Sequence, residues 1–251
     1  TDLINTAETD ICSLIVGKVF GSADLAYYDQ GKRYPSILVN NINSAIYKVM
    51  LPAYSQSQDE LNNLKKMLRK SISVGVFVLA PILCGFAAIS DSFISLILTD
   101  KWILCSPYIK IFCFIYFTRP METLCHQALL AIGRSDIVLR IMVAINIVSI
   151  VTCIIAVFGF NSVFLIAVGL LISTIVSLAC FMLYSNKLIG YRMQEQLSDI
   201  GPTLICCIVM GIIVYIVGLL KINKAILLSI QIILGIIIYI ILAQILKIEA
   251  Y

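Results

Sequence analysis

The sequence predicts an all-α integral membrane protein of about eight transmembrane helices. Three observations carry that expectation: a high apolar content, few charges, and repeated apolar runs of near-bilayer length. The chain of 251 residues is 61% hydrophobic and 13% charged, with a mean hydropathy of +1.01. Water-soluble domains carry about 25% charged residues. Several runs approach or exceed the roughly 20 residues that cross a hydrocarbon core. The chain opens at Thr1 inside a patterned segment with no visible signal peptide, so it is expected to be a piece lacking its N-terminal portion.

The spans are expected at roughly 3–21, 24–50, 66–90, 106–132, 136–159, 161–186, 202–220 and 224–247. The third is followed by SDSFISLILTDKWILCSP, a short amphipathic piece expected at a bilayer interface with Trp102 as its anchor. Basic residues set the orientation. One side of the bundle holds Lys48, Lys65, Lys66, Arg69, Lys70, Arg134, Arg140, Lys187, Arg192 and Lys247. The other holds Lys18, Lys101, Lys110, Lys221 and Lys224. The richer side is expected to be cytoplasmic, which puts the C-terminus inside.

Eight of the nine cysteines lie in apolar runs and none forms a CxxC pair, so they read as small buried hydrophobes rather than disulfides or metal ligands. No phosphate-binding loop, HExxH, GxSxG or outer-loop DxD appears, and the longest loops are too short to hold a catalytic domain. The expected protein is therefore not an enzyme; no catalytic residue, metal or cofactor is assigned, and nucleic acid is not an expected partner.

The second span carries the clearest polar pattern. Asp29, Arg33, Ser36, Asn40, Asn43 and Tyr47 recur every three or four positions. At 100° per residue they fall within about 80° of arc, with Lys32 just beside them. Such a face cannot meet lipid and must meet protein or water. The first span repeats the pattern with Asp2, Thr6, Thr9 and Ser13, and Asp10 at the stripe's edge. In the fourth span Arg119, Glu122 and His126 share one side, and Pro120 is expected to kink the helix there. A charge at the bilayer centre costs at least about 2.5–3.5 kcal/mol on insertion scales, so these groups need a shared polar setting. Two readings stay open. Arg119 and Glu122 neutralise each other while His126 bonds a carbonyl or a neighbouring span, or all three line an aqueous cavity that meets an anion or a coupling ion. The last four spans have almost no polar face, and Asn146, Ser149 and Thr152 read as helix packing.

The stretch beginning IVGKVFGSADLAYYDQGKRYPS and running to Ser71, the run ISLILTDKWILCSPYIKIF, and the run ALLAIGRSDIVLR together resemble Wzx-type polysaccharide exporters. These share a superfamily with MATE exporters and the lipid II flippase. The resemblance covers residues 10–140 and is compositional afterwards. It implies a MATE-like fold of two six-helix lobes plus two helices, of which this chain would be the second lobe (1–190) and the final pair (191–251). It also implies translocation of an undecaprenyl-diphosphate-linked oligosaccharide across the bacterial cytoplasmic membrane through a cationic lumen. The expected partners are that substrate, membrane lipid, the missing N-terminal lobe, and the polymerase and glycosyltransferases of the same assembly. On this reading Lys32, Arg33 and Arg119 attract the diphosphate, and Asn40, Asn43 and Tyr47 bond the sugars. Asp10, Glu122 or His126 carries a coupling proton or sodium. Arg33 falls where the family often has a basic residue after paired tyrosines, here Tyr27 and Tyr28. The chain departs from the family with Asp29 and Gln30 where a Ser-Arg pair is common. A MATE-like antiporter of organic cations and an integral-membrane glycosyltransferase or polymerase are the alternatives.

Overall fold

The computed structural model describes residues 12–57, 60–220 and 222–246, with only the backbone of Tyr47. Residues 1–11, including Asp10, and Lys247 lie outside the described residues. All regular structure among those described is helical. Helix α1 covers residues 12–19. It is followed by α2 (Ser22–Gln56), α3 (Leu61–Phe93), α4 (Ser106–Phe117), α5 (Arg119–Ala131), α6 (Ser135–Ile154), α7 (Val163–Ile189), α8 (Met193–Val217) and α9 (Lys224–Ile245). The expected fourth span is thus two helices, α4 and α5, in tandem.

The helices run back and forth between two ends, one marked by Trp102 and one by the basic residues around Arg69. Five of them are long and apolar enough to cross a membrane: Leu61–Leu98, Ser135–Gly159, Val163–Ile189, Met193–Val217 and Lys224–Ile245. Helix α2 is longer than any of these except the first but carries the polar stripe. Glycine in the left-handed region turns the chain before α2, at Gly21 (φ 95°), and caps α7, at Gly190 (φ 76°).

Between the ends lie two stacked apolar cores. Toward the Trp102 end, Tyr28, Leu79, Leu83, Ile109 and Phe112 are buried together, with the Tyr28 and Phe112 rings 5.4 Å apart edge to face. Toward the basic end the core is Leu64, Leu68, Ile72, Met121, Leu124 and neighbours from α6 to α9. Outward-facing isoleucines such as Ile212, Ile216, Ile233 and Ile237 stay exposed on α8 and α9, the surface that a lipid-facing helix presents. At the Trp102 end the Trp102 ring packs on Tyr27 at 5.8 Å, and Lys224 pairs with Asp100 at 2.7 Å.

Helix α8 begins nine residues before the expected 202, and the reason is a polar latch to α3. Arg69 grips Asp199 with two hydrogen bonds, 2.8 Å from Nε and 2.6 Å from Nη2. The buried Tyr191 hydroxyl donates to the same carboxylate at 2.6 Å. Lys65 pairs with Glu195 at 2.7 Å, and Glu195 also accepts from the Arg192 backbone N–H at 2.9 Å, closing the first turn of α8. Gln196 donates to the carbonyls of Met182 and Tyr191, which ties α8 to α7. Polar partners on α3 therefore extend a helix whose apolar periodicity starts later. Replacing Asp199 with Ala is expected to cost about 1–3 kcal/mol, because it leaves the buried Tyr191 hydroxyl unbonded. Arg69→Ala should cost less, since that side chain is 40% exposed and its loss leaves Asp199 bonded to Tyr191. Thermal unfolding of the two variants in one detergent checks the order.

Candidate functional site

The site is built around the break between α4 and α5. Pro120 lacks an amide hydrogen and cannot continue the ladder of α4, so the chain turns at Thr118 and restarts with Pro120 in the first turn of α5. The restart places Arg119 and Glu122 in that first turn. Glu122 is buried; its carboxylate accepts from the Thr118 hydroxyl at 3.0 Å, and its backbone N–H donates to the Thr118 carbonyl at 3.1 Å. The His126 ring packs edge-on against Phe181 of α7 at 6.0 Å. Arg119 is half-buried, and its Nε has no hydrogen-bond partner. No ion pair among the described residues includes it.

The depth of Arg119 follows from its neighbours. Pro120 and Ile46 both press on Gly75 of α3, lying 3.4 and 3.8 Å from where a side chain would begin there. Arg119 is thus level with the stretch of α2 around Asn43. One turn earlier, Tyr116 lies within reach of both Arg119 and Ser36. Along α2, Asn40 is exposed and Asn43 is partly buried with its Oδ1 unpartnered. Tyr47 continues the stripe, though only its backbone is described. Ser36 bonds the Arg33 carbonyl of its own helix at 2.7 Å, and Asp29 accepts from Ser13 of α1 at 2.9 Å.

Lys32 and Arg33 sit elsewhere. Ten residues separate Arg33 from Asn43, about 15 Å along the axis toward the Trp102 end. Arg33 is exposed and Lys32 partly so. The structure therefore groups Arg119 with Asn40 and Asn43 at mid-depth and leaves Lys32 and Arg33 as a separate basic pair nearer one end.

Gln127, next to His126 on α5, is a further polar residue that the periodicity does not mark. It is fully buried, and neither amide atom has a partner. The only signal was a lone amide in the apolar run that follows His126.

An apolar groove lies on the other side of α2 from its polar stripe. A cavity of about 510 Å³ opens between α3, α8 and α9, lined by Ile82, Gly85, Met210, Val214, Gly235 and others. Its wall reaches α2 at Leu38, about 160° round the helix from Ser36 and Asn40. The Tyr239 hydroxyl spans the groove's base to the Phe77 carbonyl at 2.7 Å. Gln231, buried in the lining, donates to the Val214 carbonyl at 3.1 Å and leaves its Oε1 unpartnered. A smaller cavity of about 200 Å³ lies between α3, α4 and α8 among Cys84, Cys113 and Cys207. Seven of the nine cysteines are buried, filling core space.

Residues 1–107 match the family described as polysaccharide biosynthesis protein. The resemblance to that family is thereby shown. The chain is 24% identical over 135 residues to the lipopolysaccharide biosynthesis protein WzxC of Escherichia coli (strain K12), covering 54% of this chain and 27% of that one. It is 24% identical over 135 residues to the teichuronic acid biosynthesis protein TuaB of Bacillus subtilis (strain 168), covering 54% and 28%. The chain thus spans about a quarter of the length of the curated relatives it matches. The fold is that of the lipid II flippase MurJ in its inward closed conformation. The TM-score is 0.80 at 16% identity, over 97% of this chain and 51% of the flippase. The likeness of fold reaches through α9, well past the part that matches the polysaccharide-biosynthesis family by sequence.

Proposed function

We propose that this chain forms the second lobe and final helix pair of a flippase that moves an undecaprenyl-diphosphate-linked oligosaccharide across the bacterial cytoplasmic membrane. The observation that carries the reading is a polar face on α2 level with Arg119, in a chain whose fold is that of a lipid flippase. An amphipathic cargo needs a polar and an apolar surface, and α2 borders both, on opposite sides of the helix. The groove would take the prenyl chain, Arg119 the diphosphate, and Asn40, Asn43 and Tyr47 the sugars. Arginine suits this role because its fork matches phosphate oxygens. Lys32 and Arg33, displaced toward the Trp102 end, would meet the diphosphate at a different stage of its path.

Residues 1–190 would act as the lobe and 191–251 as an attached pair, with the basic end and the C-terminus in the cytoplasm. The opposite wall would come from the other lobe of the same protein. Polymerase and glycosyltransferases would supply and consume the cargo. Glu122 or His126 would carry any coupling ion. The rival cation antiporter needs an uncompensated acid facing the passage. Against it, Glu122 is buried and bonded to Thr118, while the cationic Arg119 enters no ion pair among the described residues.

Accessibility tests the reading. In the complete protein, cysteines at Asn40 and Arg119 should react with hydrophilic maleimides, whereas one at Ile212 should not. Inertness at both polar positions would overturn a wet passage along α2.

A further inference from the structure

We infer that Lys66 and Lys70 form a capture site for the diphosphate of a polyprenyl-linked substrate at the basic end of α3, before it reaches Arg119. The inference deepens the flippase reading and rests on it. Four basic residues open α3, and the structure divides them into two kinds. Lys65 and Arg69 are engaged by Glu195 and Asp199 of α8. Lys66 and Lys70 are exposed and enter no ion pair among the described residues. They lie one turn apart, near enough to share one diphosphate, and each ammonium offers three donors.

The same i,i+4 row continues as Val74, Val78 and Ile82, which are 41%, 43% and 39% exposed. Ile82 lines the groove that meets α2 at Leu38. An apolar track thus joins the two lysines to the groove, winding round α3 as such rows do. Lys66 and Ile82 are sixteen residues apart, about 24 Å of helix. One leaflet supplies about 15 Å of hydrocarbon, half of the roughly 30 Å core. A phospholipid held by its phosphate at the lysines ends its tails short of the groove, whereas a longer polyprenyl chain reaches it. That length argument favours the prenyl-linked diphosphate over bulk anionic lipid.

The test uses the complete protein in phosphatidylcholine nanodiscs with undecaprenyl diphosphate as probe. A Lys66→Ala/Lys70→Ala variant should bind the diphosphate at least about tenfold more weakly. Its affinity for undecaprenol, which lacks phosphate, should stay unchanged, and Lys66→Arg/Lys70→Arg should restore diphosphate binding. Unchanged diphosphate binding by the alanine pair would overturn the capture site while leaving the flippase reading intact. So would equal competition by phosphatidylglycerol, which would make the site one for bulk lipid. A parent protein that ignores undecaprenyl diphosphate altogether would overturn the flippase reading, and the capture site with it.

Discussion

Gly31→Ala should be among the most destabilising single substitutions in this chain, at the upper end of or beyond the roughly 1–3 kcal/mol typical of overpacking. A Cβ at Gly31 would lie 2.3 Å from the Tyr108 Cβ and 3.2 Å from the Tyr108 carbonyl carbon and the Ile109 nitrogen. None of these atoms is the far end of a flexible side chain, so relief requires α2 and α4 to move apart. Such a shift would loosen the packing of Tyr28 on Phe112 and Tyr108 and carry the polar stripe of α2 away from Arg119. Gly211→Ala is the matched control. Its nearest contact is the Cys84 sulfur at 3.7 Å, ordinary van der Waals distance, so its effect should be small. Thermal unfolding in detergent separates the two. Labelling of an Asn40→Cys probe in the Gly31→Ala background reports whether the stripe has moved.

On the proposed flippase reading, Arg119→Ala in the complete protein should reduce translocation of a lipid-linked glycan by about tenfold to about 150-fold, from losing hydrogen bonds between charged groups of about 1.5–3 kcal/mol. The same substitution should leave thermal stability unchanged or raised. Arg119 is half-buried and its Nε is unpartnered, so the fold bears a desolvation cost that alanine removes. Arg119→Lys should recover part of the activity, because a point charge replaces the fork but not its two-pronged geometry. The combination of lost transport and retained stability is the signature of a substrate-facing cation. A stability loss with intact transport would instead assign Arg119 to the scaffold. A gain of cation export would favour the antiporter.

Much of the architecture was legible because membrane helices are written in long apolar runs, and α6, α7 and α9 lie close to their expected bounds. The start of α8 was not legible. Residues 193–201 mix five polar residues with Met193, Leu197, Ile200 and Gly201, and they are helical because Glu195 and Asp199 find Lys65 and Arg69 about 130 positions away in the chain. The break at Pro120 was readable from proline's missing donor, as was the shared face of Arg119 and Glu122. Whether those two residues pair depends on side-chain geometry that periodicity does not specify.

The amino-acid order by itself determined that this is a helical membrane protein with polar faces on α2 and α5, since burying or exposing side chains in lipid depends on composition and a 100° rotation per residue. Only the tertiary structure decided which polar groups meet. It put Arg119 level with Asn43, set Lys32 and Arg33 about 15 Å away along α2, and opened an apolar groove against Leu38. It also spent Lys65 and Arg69 on α8 while leaving Lys66 and Lys70 exposed. The physical reason is that depth, partner and exposure come from how separate helices cross and dock. Contacts among α2, α3, α5 and α8 join residues far apart in sequence, and no local pattern encodes them.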